Sequence, residues 1–297
     1  MMESKKRIGW IGVGKMGSPM AKSLISAGRS LVVYDRVKER MVELGDLGAG
    51  LADSIMNLLS NVETVISMIP DDQAFEDISI GPKGIFREAK AGLVYVDMST
   101  VSPLSSSRVN HAAKEKGILY LRAPVSGTVA QATNRTLTIF ASGPREAYDS
   151  CQDILTAIGR KVYYLGDGEE ARYVKLVVNI MVAITSAMMA EALVFGRRAG
   201  MDWGQMLEIV NNSVVASPLI NTKMEMLKNR DFAPAATVAE VAKVMDMALD
   251  TGRDFDIPMP ITALVRQLYG CMKASGRSEL DYFALVTMME ELAGIRG

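Results

Sequence analysis

Lys175 and Asn179 stand four residues apart in a stretch almost free of charge, so on a helix they share one face. A lysine ammonium can deliver or accept a proton at a carbonyl or hydroxyl oxygen, and an amide can orient that oxygen. Polar groups among so many apolar residues cost free energy unless they are paired. A lysine at a helix end with its head in water fits the same spacing. A second candidate is Arg122-Ala123-Pro124-Val125-Ser126-Gly127-Thr128, where the Ser126 hydroxyl and the N–H groups of Gly127 and Thr128 would form a nest for a small anion. The one histidine, His111, falls in an Ala- and Lys-rich helical run away from every strand end and is expected to be exposed. That argues against histidine-based proton transfer and leaves no Ser-His-Asp set. Cys151 and Cys271 match no metal or redox spacing, as expected of reduced thiols in a cytoplasmic protein. Asp71 and Asp72 lack a nearby histidine and read as a loop or helix cap, so no metal site is expected.

The elements that must position these groups begin at the amino end. An apolar run, Ile8 to Ile11, leads into Gly12-Val13-Gly14-Lys15-Met16-Gly17; a helical segment follows, then a second apolar run, Leu31 to Tyr34, ending on Asp35. Strand, glycine turn, helix, strand and acid in this order form a dinucleotide-binding unit. Gly12 allows the tight turn, Gly14 lets backbone approach a pyrophosphate, and Gly17 lets helix and strand pack closely. The helix N-terminus then receives the phosphates. Asp35 can bond a ribose 2′-hydroxyl and would repel a 2′-phosphate, favouring NAD, whereas Arg36 beside it could hold that phosphate and admit NADP. Ile69-Pro70 leaves a third apolar run at the edge where ligands of open α/β sheets bind, and is a further cofactor contact. Asp97-Met98-Ser99-Thr100-Val101-Ser102-Pro103 follows another run; Ser99 and Thr100 could bind the nicotinamide ribose or a substrate carboxylate, and the same segment is a helix N-cap.

From Arg7 to about Leu165, β-rich runs alternate with helical stretches: Thr64–Ile69, Leu93–Val96, Ile118–Leu121, Leu137–Ala141 and Val162–Leu165 read as further strands. After Gly166, methionine- and alanine-rich helical patterns take over, broken at Gly200-Met201-Asp202, Ser217-Pro218 and Asp256-Ile257-Pro258. The expected architecture is an α/β Rossmann domain with a doubly wound, mostly parallel sheet over residues 1–165, followed by an all-α domain over 166–297, joined by a long helix. The uncharged segment from Leu176 to Ala190 is shorter than the roughly 20 residues of a membrane span and reads as a helix buried on most sides at a domain or subunit interface. The chain has 33 basic and 34 acidic residues, which favours neither nucleic acid nor an anionic membrane. The polar first residues point away from a signal peptide.

Together these segments resemble the β-hydroxyacid dehydrogenase family, which includes 3-hydroxyisobutyrate dehydrogenase and tartronate semialdehyde reductase, over nearly the whole chain. Gly12-Val13-Gly14-Lys15-Met16-Gly17-Ser18-Pro19-Met20-Ala21 matches the family's GxGxMGxPMA, and Asp97, Ser99, Thr100 and Pro103 its DxSTxxP. Ala123 to Gly127 matches APVSG, Lys175 and Asn179 fall on the catalytic KxxxN, and Lys243 falls on a later lysine near the closed active site. The resemblance implies a cleft between the domains, oxidation of a small 3-hydroxy acid or reduction of its semialdehyde, Lys175 as general acid/base, and a homodimer or homotetramer. Imine reductases share the architecture but usually replace the lysine. The departures gather around the expected substrate pocket: Arg122 for Asp, Thr128 for Gly, Glu169 and Ala171 at glycine positions, Val178 for Asn, Ala236 for an aromatic and Val244 for Asp. They suggest an altered substrate, a non-standard carbonyl or imine, or a member that binds nucleotide without catalysing. Arg122 at a strand end suits a second anionic group on the substrate, or else an internal pairing with an acid such as Glu169.

Overall fold

The computed structural model describes residues 7–60 and 62–295, which form two compact units, Met1–Lys175 and Leu176–Gly297. The first holds a six-stranded parallel sheet, β1 (Ile8–Ile11), β2 (Leu31–Tyr34), β3 (Gly50–Leu51), β4 (Thr64–Ser67), β5 (Val94–Asp97) and β6 (Leu119–Arg122), in the order β3-β2-β1-β4-β5-β6. Helices cover both faces, so both sets of alternating side chains are apolar. Trp10, Ile66, Val96 and Leu121 point into one core layer; Ile11, Val65, Tyr95 and Tyr120 point into the other. The strand order reverses between β1 and β4, the switch point at which open α/β sheets bind ligands.

Two differences from the sequence reading concern strands. The run from Thr64 ends as a strand at Ser67, because the Ile69 N–H donates to the Ser99 hydroxyl (2.9 Å) and not to a neighbouring strand. Residues 137–141 and 162–164 do not extend the parallel sheet. They belong to a three-stranded sheet of β7 (Val125–Ser126), β8 (Leu137–Ala141) and β9 (Gly159–Tyr164), in which β7 and β8 are antiparallel. One antiparallel bridge, Arg122 with Ser142, joins it to the end of β6.

The long helix Glu170–Arg198 begins in the first compact unit and continues into the second. Its first residues are bonded to the first unit: the Ala171 N–H donates to the Ser142 hydroxyl (3.1 Å), which donates to the Gly168 carbonyl (2.8 Å). The second unit is helical. Asp202 and Ser217 cap the helices Trp203–Asn211 and Pro218–Asn229, and Val238–Asp254 and Pro260–Ala274 flank the break at Asp256 to Pro258. Ala183, Met189, Ala190, Leu193 and Val194 of the long helix lie in the core of this unit. The helix is less covered than its composition suggested. Val177, Met181, Met188 and Phe195 are exposed, Phe195 by 78%. By length and composition alone it could cross a membrane.

Candidate active site

The glycine loop has the shape a pyrophosphate needs. Gly12 adopts φ +90°, and a Cβ there would meet the Met68 carbonyl oxygen at 2.3 Å. A Cβ on Gly17 would lie 2.0 Å from the Gly12 carbonyl oxygen, whereas one on Gly14 would meet nothing within 4 Å. The first and third glycines are thus required by the protein's own packing, and the middle one opens outward. The helix Gly17–Ser26 carries no side-chain cap, which leaves its N-terminus to a ligand. Lys15 is exposed, Met16 is partly buried against the core and Val13 is buried.

Asp35 closes β2 with its carboxylate turned to the loop. One oxygen accepts the Val13 N–H (2.9 Å) and the other the Val37 N–H (2.8 Å), and the residue is 7% exposed. Each oxygen keeps a lone pair for a ribose hydroxyl. Arg36 is exposed beside it. At the next strand ends, Ile69 is partly buried, Pro70 exposed, Ser99 buried and Thr100 half-buried. Asp71 caps the helix Asp72–Ile80, Asp72 accepts the Ser102 N–H, and Ser102 caps the helix Pro103–Glu115 with Pro103 in its first turn.

Lys175 follows the first turns of the long helix. The residue as a whole is only half-buried, yet its ammonium is surrounded closely enough that burial lowers its pKa to about 8. No hydrogen bond or ion pair to it is found among the described residues. Asn179 lies one turn on along the same helix and is half-buried; Lys243 is exposed on Val238–Asp254 in the second unit. His111 is exposed and pairs with Glu115, and burial pushes the Cys151 thiol up to about 11. Among the described residues no group of three His, Cys, Asp or Glu side chains could hold a metal.

Two expectations for the anion site are corrected. Thr128 does not offer its amide: its N–H donates to Gln131 Oε1 (2.8 Å) while its hydroxyl accepts the Gln131 N–H, a closed capping box on the helix Val129–Thr133. The Thr-x-x-Gln spacing carried that signal. Ser126, half-buried in β7, and Gly127, exposed, remain.

Arg122 is paired within the chain, the alternative that the sequence left open. It is 0% exposed, its guanidinium bonds Glu169 and lies 4.6 Å from the centre of the Tyr120 ring. Two of the family departures therefore answer each other, an arginine for the acid and a glutamate for the glycine. Arg122→Ala should destabilise the protein by about 3–5 kcal/mol, since it strands a buried carboxylate. KM for monoanionic and dianionic substrates should change equally; a selective rise for the dianion would return Arg122 to the substrate site.

Sequence reading missed the group beside this pair. Arg172 is wholly buried and donates to Asp97 Oδ2 (2.5 Å), the Ser99 carbonyl (2.7 Å), the Tyr120 hydroxyl (2.9 Å) and Ser106 Oγ (3.3 Å). Burial alone would lower its pKa, but Tyr120 and Asp97 more than offset this and hold it charged. The Ser67 and Ser99 hydroxyls both donate to Asp97 Oδ1, at 2.6 and 2.7 Å. The only sequence signal was an arginine three residues before Lys175 at the start of an apolar helix.

Residues 7–166 match the model of the NAD binding domain of 6-phosphogluconate dehydrogenase, and residues 169–289 match the NAD-binding domain of NADP-dependent 3-hydroxyisobutyrate dehydrogenase. The chain is 32% identical over 295 residues to 2-(hydroxymethyl)glutarate dehydrogenase of Eubacterium barkeri, covering 99% of this chain and 98% of that one. The chain belongs to the β-hydroxyacid dehydrogenase family. L-threonate dehydrogenase of Cupriavidus necator is 30% identical over 282 residues, 95% of each chain. A solved 3-hydroxyisobutyrate dehydrogenase from Salmonella typhimurium shares the fold with a TM-score of 0.87 at 23% identity, covering 95% of this chain and 99% of that one. This β-hydroxyacid dehydrogenase is an oxidoreductase that uses NAD(P), and the open face of Gly14, the uncapped helix behind it and Asp35 fit that cofactor.

Proposed function

We propose that this enzyme interconverts a small 3-hydroxy acid and its semialdehyde, with Lys175 as the general acid in reduction and the general base in oxidation. The observation that carries this reading is a lysine whose burial brings its pKa to about 8, on the family's catalytic position. When bound, NAD(P)H supplies the hydride that reduces the carbonyl carbon. Lys175 Nζ delivers the proton to the carbonyl oxygen, and Asn179 orients that oxygen or Lys175 itself. The Ser126 hydroxyl and the Gly127 N–H hold the carboxylate. The retained lysine supports carbonyl rather than imine chemistry. The dicarboxylic substrate in the name of the Eubacterium barkeri relative supports including dianions, on grounds independent of Arg122.

The test is a panel of mono- and dicarboxylic 3-hydroxy acids, semialdehydes and cyclic imines, read by nicotinamide absorbance with both dinucleotides. Turnover is expected on the acids and semialdehydes. Cofactor binding with no turnover on any member would support a silent nucleotide-binding protein instead, and turnover confined to imines would replace the substrate class. Asp35 should make kcat/KM higher with NAD(H) than with NADP(H), by like-charge repulsion of a 2′-phosphate. A ratio favouring NADP(H) would assign the choice to Arg36.

A homo-oligomer, dimer or tetramer, is part of the same proposal. Val177, Met181, Met188 and Phe195 leave an apolar stripe along the long helix, and Ile261 and Leu264 another on Pro260–Ala274. Light scattering at micromolar concentration should give a multiple of 32.2 kDa; a monomeric mass would refute it.

A further inference from the structure

Asp97 and Arg122 end adjacent strands in register, β5 and β6, and share a face with Tyr95 and Tyr120. The start of the long helix answers them with the opposite order of charge: Glu169 bonds Arg122, and Arg172, three residues on, bonds Asp97. Arg122, Arg172 and Asp97 are wholly buried, and Glu169 nearly so. Four charges of alternating sign thus fasten one helix turn across two strand ends, with Tyr120 between the two arginines. Asp97 also accepts the Ser99 hydroxyl, which in turn accepts the Ile69 N–H. One buried carboxylate therefore connects the loops expected to contact the cofactor with the helix that carries Lys175.

We propose that Arg172, braced by the Glu169–Arg122 pair, is a positioning residue for Lys175: it fixes the helix turn from which that lysine emerges and ties it to the Ile69 and Ser99 loops. This rests on the reading of Lys175 as the proton donor. The spacing supports it, since residues three apart on a helix are neighbours on its surface. The depth at which Lys175 is held also sets how far its ammonium is stripped of water, consistent with its low pKa. An arrangement of this kind matters because a misplacement of about 1 Å can cost roughly 10²-fold in rate.

The experiment compares the full-length enzyme with Arg172→Met, Arg172→Lys and Glu169→Gln. Dinucleotide affinity, kcat, KM and the pH dependence of Lys175 modification by an amine reagent, read on the Lys175 peptide by mass spectrometry, are measured for each. Arg172→Met should move the Lys175 titration up by at least about one pH unit and lower kcat by roughly 10–100-fold, with any loss of dinucleotide affinity smaller than the loss of kcat. Arg172→Lys should recover much of both. Should Arg172→Met not fold, Arg172→Lys and Glu169→Gln carry the same readout, with smaller shifts expected. A Lys175 titration unmoved in every folded variant overturns the proposal, even where stability has fallen. Because the titration is read chemically, a shifted Lys175 in a protein that turns over nothing would uphold the positioning role while refuting the proposed activity. An unshifted one in an active enzyme would do the reverse.

Discussion

Lys175→Ala should lower kcat by roughly 10²–10⁴-fold and leave the dinucleotide Kd within about threefold, because it removes the proposed proton donor without touching the glycine loop. Near-normal turnover on a good substrate would remove Lys175 from the mechanism. The pH dependence has a definite sign. Burial places the Lys175 pKa at about 8, below the ordinary lysine value. Reduction needs the protonated amine, so its rate should hold below pH about 8 and fall above it, while oxidation should rise through the same point. Stability follows the opposite logic to a salt bridge. The folded state disfavours the ammonium, so the cost of burying it is fully present below pH about 8 and vanishes as pH rises through the unfolded value near ~10.4. Lys175→Met should therefore gain on the order of 1–3 kcal/mol at pH 7 and nothing near pH ~10.5. A thermal melt of both proteins at the two pH values reads this, and a destabilised Lys175→Met at pH 7 would contradict the burial.

Gly14→Ala and Gly17→Ala should fail in different ways. The added methyl at Gly14 meets no protein atom within 4 Å, so the fold should tolerate it, with Tm shifted by no more than about 1–2 °C. It occupies the space through which backbone approaches the pyrophosphate, and dinucleotide Kd should rise at least about tenfold. At Gly17 the methyl would stand 2.0 Å from the Gly12 carbonyl oxygen, a backbone atom that cannot turn aside. The loop must deform, at roughly 1–3 kcal/mol or more, and both Tm and dinucleotide binding should fall. Calorimetry with titration of the dinucleotide separates the two. Unimpaired binding by Gly14→Ala would show that the loop does not cradle phosphate.

Much of the first unit was legible because its signals are local. The β1 and β2 runs are apolar for their whole length, as strands covered on both faces must be, and the glycine loop and Asp35 follow at fixed offsets. The cap readings at Asp71 and Ser102 match the helix starts, and the breaks read at Asp202 and Ser217 are N-caps too, because the side chain bonds an amide only three residues away. Thr128 was equally legible through Gln131, yet its position beside Ser126 and Gly127 drew it into an anion nest that its own capping box precludes.

By itself, the amino-acid sequence determined the alternation of strands and helices in the first unit, the helical character of the second, the dinucleotide loop and the family to which they belong. These depend on residue type at short spacing, where backbone geometry leaves few alternatives. Only the tertiary structure decided what the long-range charges do. Arg122 is separated from Glu169 by 47 residues, and Asp97 from Arg172 by 75, and no periodicity connects them. A lone arginine at a strand end reads equally as a substrate anchor or a buried ion pair, since both offer a carboxylate to the same fork of N–H donors. Burial selects between them: a guanidinium closed off from solvent must take its partner from within the chain, and Glu169 is the acid that the fold brings to it.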